Sequence, residues 1–273
     1  MNLLIALVVG ALAGTHIATW GMYKDAPHEG YSHRKYSRAI VLSACLAFVS
    51  ALALRPDLQQ AGNLVLLFGC LYGGERGVEE VYKTFIREED QSKYFIPMQF
   101  HIFGRLVQSR LARWGMAAMW VVVAVTGALV LAWLDARWGR TLPLAVVVLV
   151  GGIGGWMSAV GGAAKDAPIE GFETLKFFRS PLLASAYAFL LAHFTQSLIL
   201  IALGGIGYTV ATIETYKTFF FPNKPRGKFA GKPILFPEML VRRQRYVPIY
   251  VAIWVLMITG FVLAFLGPHH GRV

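Results

Sequence analysis

Long uninterrupted blocks of apolar residues constrain this chain more than any other feature. Stretches such as 120–134 (WVVVAVTGALVLAWL) and 250–266 (YVAIWVLMITGFVLAFL) are apolar on every helical face. They approach the roughly 20 residues that a helix needs to cross a hydrocarbon layer of about 30 Å. Inside such a layer only helices or closed barrels satisfy their own backbone hydrogen bonds. A barrel strand would alternate apolar and polar residues, and these blocks do not. Only 15% of the 273 residues are charged, against about 25% in an ordinary soluble domain, and the mean hydropathy is +0.54.

The expected fold is therefore an all-α integral membrane protein with about eight transmembrane helices, near 2–22, 39–54, 62–82, 115–134, 143–163, 181–197, 199–219 and 247–266. The first block has no basic residue before it and no clean small-residue cleavage site after it, so it reads as a retained helix rather than a signal peptide. Cys45 and Cys70 fall in separate apolar blocks at different depths. They read as small buried hydrophobes, not as a disulfide or a metal site.

With that layout all but four of the 26 Lys and Arg fall on one side, the exceptions being Arg55, Arg137, Arg140 and Arg272. The excess of Lys and Arg marks the cytoplasmic side. The chain is thus expected to be a multi-pass protein of the plasma (inner) membrane with both termini outside. The net charge of +11 needs no nucleic acid, because juxtamembrane Lys and Arg find partners in anionic headgroups of membrane lipids.

A repeat organises the charges. KDAPHEGYSHRKYSR (24–38) lies 141 residues before KDAPIEGFETLKFFR (165–179), and EVYKTF (80–85) lies 134 residues before ETYKTF (214–219). Two ordered matches at similar offsets indicate duplication. The halves are 1–138 and 139–273. Each holds four helices, an even number, so both are expected to enter the membrane in the same direction, as same-topology repeats about an axis along the membrane normal. The Gly run 151–162 offers small faces, such as Gly151 and Gly155, expected to pack between the halves.

In K-D-A-P-x-E-G the proline removes a backbone donor and the glycine permits positive φ, so the segment reads as a turn that ends a helix. Asp25, Glu29, Asp166 and Glu170 form a candidate site for a hard cation such as Mg²⁺, which takes oxygen ligands and keeps waters for a phosphate partner. With Glu80 and Glu214 these acids are the candidate catalytic groups. Lys24, Lys35 and Arg38, with Lys165, Lys176 and Arg179, are the candidate phosphate ligands. The alternative is that each acid pairs with a nearby base and anchors the loop. In the E-x-Y-K-T-F elements, Glu80 and Lys83, like Glu214 and Lys217, have the i,i+3 spacing of an ion pair on one face.

Loop 220–246 carries the densest positive cluster: Lys224, Arg226, Lys228, Lys232, Arg242, Arg243 and Arg245. Its Lys228 and Lys232, with Lys83 and Lys217, join the candidate anion ligands. GKFAGKP is not a P-loop, because three residues separate Gly227 from Gly231 and Pro233 follows the lysine. Segment 94–114 mixes aromatics and Arg at helical spacing and is expected to be a helix in the interface. His16, beside Thr15 and Trp20, is an intramembrane candidate. Glu75, Arg76 and His16 align with Thr209, Val210 and Met157 in the second half, so a single site could use first-half residues alone.

Repeated charges at one interface favour an enzyme or binding protein for a phosphorylated lipid or isoprenoid. The alternatives are a transporter or channel for a small anionic solute or ion, and a non-catalytic scaffold. The D-G-x-x-A-R pattern of CDP-alcohol phosphotransferases and the paired D-x-x-x-D motifs of UbiA-type prenyltransferases are missing. Cysteine labelling at positions 33, 90, 173 and 228 should report the cytoplasm, and at 58, 138 and 272 the outside. An inverted half would contradict the parallel layout.

Overall fold

A computed structural model describes residues 2–222 and 227–272, with Arg140 described in its backbone only. Lys224 and Arg226 of the basic loop lie outside the described residues. The chain is helical nearly throughout. In order come α1 (Asn2–Glu29), α2 (His33–Leu54), α3 (Ala61–Val81), α4 (Arg110–Trp138), α5 (Leu144–Gly151), α6 (Ile153–Glu170), α7 (Thr174–Leu191), α8 (Leu198–Phe219), α9 (Met239–Arg242) and α10 (Val247–Leu266). α5 and α6 form one rod broken at Gly152, and a single π-helical turn, Tyr82–Ile86, follows α3.

Six rods are long and apolar enough to cross a membrane: Asn2–Glu29, His33–Leu54, Arg110–Trp138, Leu144–Glu170, Leu198–Phe219 and Met239–Leu266. This is the pattern of a multi-pass helical membrane protein. α3 and α7, of 21 and 18 residues, are not among them. Local chemistry sets several helix starts. Ser32, Ser109 and Ser197 accept from the backbone N–H of Lys35, Ala112 and Leu200, as N-caps do. α4 is only 6% buried along its most apolar window, and Val122, Leu129 and Trp133 stand exposed along it. Such a surface suits lipid better than water.

The main core joins α1, α2, α3, α8 and α10 around Phe68, Tyr72, Tyr208 and Tyr250. A second core joins α5, α7 and α8 through Val147, Ala188 and Ile201, with Leu131 and Leu134 of α4 against it. The last helix of the chain therefore packs with α1 and α3, while α4 packs with α5, α7 and α8.

Several expectations change. The Gly run packs inside the second half: Gly151 faces Ala188 and Ile201, and Gly155 faces Pro181 and Ala184. Close approach between the halves is made by α3 and α8 instead. A Cβ on Gly207 would meet the backbone of Gly69 and Gly73, a glycine pair at GxxxG spacing. Segment 94–114 is no interfacial helix. It forms a hairpin, His101–Ile102 against Arg105–Leu106, turned by Phe103 and Gly104 at φ 48° and 78°, before α4 begins. The positive-φ turn geometry overrides the helical spacing of its aromatics. α7 lies earlier than expected, ending at Leu191, because residues 192–197 form a turn and the cap of α8. Cys45 is exposed on the apolar surface.

Gly207→Val should destabilise the detergent-solubilised protein by about 1–3 kcal/mol through overpacking against α3. Gly127→Ala, with open space around it, should be neutral or slightly stabilising. Equal unfolding midpoints for the two variants would contradict the α3–α8 contact.

Candidate functional site

The two K-D-A-P segments are helical, not turns. α1 runs through Pro27 to Glu29 and α6 through Pro168 to Glu170, and each ends where glycine takes positive φ: Gly30 at 75° and Gly171 at 84°. The proline is tolerated because another donor serves the carbonyl it leaves free. Arg243 Nη1 donates to Tyr23 O, four residues before Pro27, at 2.9 Å. The chain after α8 then straps across this end: the N–H groups of Leu235 and Phe236 both donate to Pro27 O, at 2.9 and 3.0 Å. His101 of the hairpin reaches Lys165 O at 3.0 Å. In this way the segments flanking α1, α3, α6 and α8 meet at one end of the bundle.

Between them lies a cavity of about 750 Å³. Both K-D-A-P segments line it, as do Glu80, Lys83, Glu214, Lys217 and Lys228 of the other charged elements. Among the described lining residues twelve are Lys or Arg and nine are Asp or Glu. Lys232 is the one candidate ligand that does not line it. It donates instead to Ser92 O at 2.8 Å.

Ion pairs knit the halves together. Lys24 Nζ reaches Glu214 at 3.2 Å, and Lys228 reaches Asp25 at 2.7 Å. Glu29 receives Lys35 at 2.6 Å and Lys93 at 3.4 Å. In the second segment a single lysine, Lys176, lies 2.9 Å from both Asp166 and Glu170. The expected Glu80–Lys83 pair is not formed. Glu80 turns back one turn to Arg76 at 2.6 Å, and Lys83 takes Glu79 at 3.0 Å, both at i,i+4. Glu214 and Lys217 do pair, at 3.5 Å.

Glu79, one residue before the repeated E-x-Y-K-T-F element, is 3% exposed and also receives Arg38 at 2.7 Å. The Glu-Glu doublet before Tyr82 was the available signal. Glu75 is wholly buried, 3.5 Å from Arg76 Nη1, with neither carboxylate oxygen hydrogen-bonded. Arg76 lies over the Trp20 ring. Trp20 Nε1 donates to the Tyr72 hydroxyl at 2.8 Å, which His16 Nδ1 meets at 3.1 Å while its ring stacks on Tyr250. His16 is thus tied to a neighbouring helix.

Two groups on the connecting segments are shifted. Burial, with the nearby Arg76 guanidinium, brings the Lys83 ammonium down to about 8. Burial and the Glu29 carboxylate hold the Tyr94 hydroxyl well above its ordinary value, and it lies 2.9 Å from both Glu29 and Glu89. Among the described residues no three His, Cys, Asp or Glu side chains group as ligands around a common point.

These features define a class, a multi-pass helical membrane protein with a charged cavity at one end. No protein-family model matches the chain, and neither a curated protein nor a solved structure does so.

Proposed function

We propose that the cavity binds a phosphate-bearing ligand presented at the membrane surface, a phosphorylated lipid or isoprenoid, from the cytoplasmic side. The observation that carries this reading is the excess of Lys and Arg over Asp and Glu in one cavity lined by all four repeated elements. Charge-assisted bonds from such groups are the strong, specific way to hold phosphate. A headgroup reaches the charged end of a bundle without leaving the interface.

In this reading α3 and α7 also cross the bilayer, giving eight spans. The halves are a tandem duplication in parallel orientation, which brings their K-D-A-P segments to one surface. The membrane is the inner (plasma) membrane, with both termini outside.

Each of Asp25, Glu29, Asp166 and Glu170 holds a lysine. Those lysines would be released to the phosphate if Mg²⁺ entered with it and took the carboxylates. That exchange would turn a binding site into a catalytic one.

A second reading, transport of a small anion or ion, is favoured by one observation. From the cavity wall, Arg76, Glu75 with no hydrogen bond, and Trp20 lead on to Tyr72 and His16, a polar path into the bundle, where polar groups are costly and mark pathways. Flux across proteoliposomes lost in Glu75→Gln would favour it.

The binding reading is tested by titrating the purified protein with inorganic pyrophosphate, and with nanodiscs containing phosphatidate. Lys228→Glu and Lys176→Glu should each weaken binding by about tenfold or more, roughly 1.4 kcal/mol per tenfold. Arg242→Glu, outside the cavity at the same end, should stay close to the unsubstituted protein. Equal losses at all three would reduce the effect to general surface charge, and the cavity would not be the site.

A further inference from the structure

The two halves place corresponding bases in the cavity but partner them differently. In the first half Lys24 pairs with Glu214 and Arg38 with Glu79. Their counterparts are Lys165 and Arg179. Among the described residues neither has a carboxylate within 4 Å: Lys165 Nζ donates only to the Met98 sulfur at 3.6 Å, and Arg179 Nε is buried without a partner. Every other described Lys or Arg lining the cavity holds a carboxylate, except Arg243, which donates to the Tyr23 and Pro222 carbonyls.

Two residues account for the difference. The acid matching Glu214 is Glu80, and Arg76, whose counterpart is Val210, draws Glu80 away from Lys165. The position matching Glu79 is Ile213, which offers Arg179 no charge. Local geometry is otherwise alike: Arg38 lies over Tyr82 at 5.7 Å and Arg179 over Tyr216 at 6.0 Å. Arg179 and Ile213 also line one small recess of about 150 Å³. An unpaired cation in a partly desolvated cavity is costly unless an anion arrives.

We infer that Lys165 and Arg179 form the open anion subsite of the cavity, taking the phosphate of the ligand, and that Arg76 and Ile213 keep it open. The inference rests on the phosphate reading of the cavity and narrows it to the second-half segment. First-half bases are already neutralised and serve the structure.

The test uses the full-length protein in detergent with inorganic phosphate, and in phosphatidylcholine nanodiscs with or without phosphatidate. Lys165→Gln and Arg179→Gln should each weaken binding about tenfold or more. Ile213→Glu should do so too by supplying the missing carboxylate, while Arg110→Gln, which does not line the cavity, should not. Binding of free phosphate assigns a soluble ligand, and binding only to phosphatidate assigns a lipid headgroup. If the unsubstituted protein binds either one and Lys165→Gln and Arg179→Gln bind it equally well, the subsite is wrong and the phosphate reading survives.

If neither is bound, the phosphate reading falls, and a thermal cycle decides the subsite independently. Ile213→Glu should melt higher than Ile213→Gln, and that difference should vanish when Arg179→Gln is added. A difference that persists, or never appears, would overturn the inference.

Discussion

The structure depends on charges that are costly to leave alone in a membrane-embedded bundle. A buried ion without a partner costs several kcal/mol, and the cheapest partner near each motif belongs to another element. Lys24 at the end of α1 therefore takes Glu214 of α8, Asp25 takes Lys228 of the strap, and Glu79 of α3 takes Arg38 of α2. The first two pairs join the halves across the charged end, and the third fixes α2 against α3 within the first half. The cavity is the space they leave.

Packing supplies the complementary constraint. Apolar contact between helices gives little drive in lipid, so close backbone approach matters. Gly69, Gly73 and Gly207 provide it between α3 and α8, and the Tyr208 hydroxyl adds a bond to Val65 O at 2.8 Å across the same contact. α3 is thereby held rigidly against the second half. It presents Glu75, Arg76, Glu79 and Glu80 to the cavity from a fixed direction.

The helices were legible in the sequence because bilayer-length apolar blocks carry a strong signal. The helix-ending glycines, Gly30 and Gly171, were legible because few other residues accept their backbone angles. Ion-pair partners were not. The spacing of Glu80 and Lys83 suits a pair, but which turn a glutamate faces depends on what packs beside it, and Arg76 is one turn back. Nor was the hairpin at 101–106, since Phe103 is an unusual residue at positive φ and hides the turn. The contact between the halves was expected at the denser glycine run 151–162, and the Gly69–Gly73 pair that makes it is a far sparser pattern. The first-half peculiarities, Arg76 above all, looked like site residues. In the structure Arg76 also alters the second half, by taking the acid that Lys165 would otherwise hold.

The central claim is that pairing between halves builds the cavity, and the Lys24–Glu214 pair tests it most directly. A double-mutant cycle with Lys24→Gln, Glu214→Gln and both together, read by equilibrium unfolding in detergent, measures their coupling. The account predicts a favourable coupling of about 1–3 kcal/mol, with Lys24→Glu rescued in part by Glu214→Lys. Strictly additive effects, with no rescue on exchange, would contradict it.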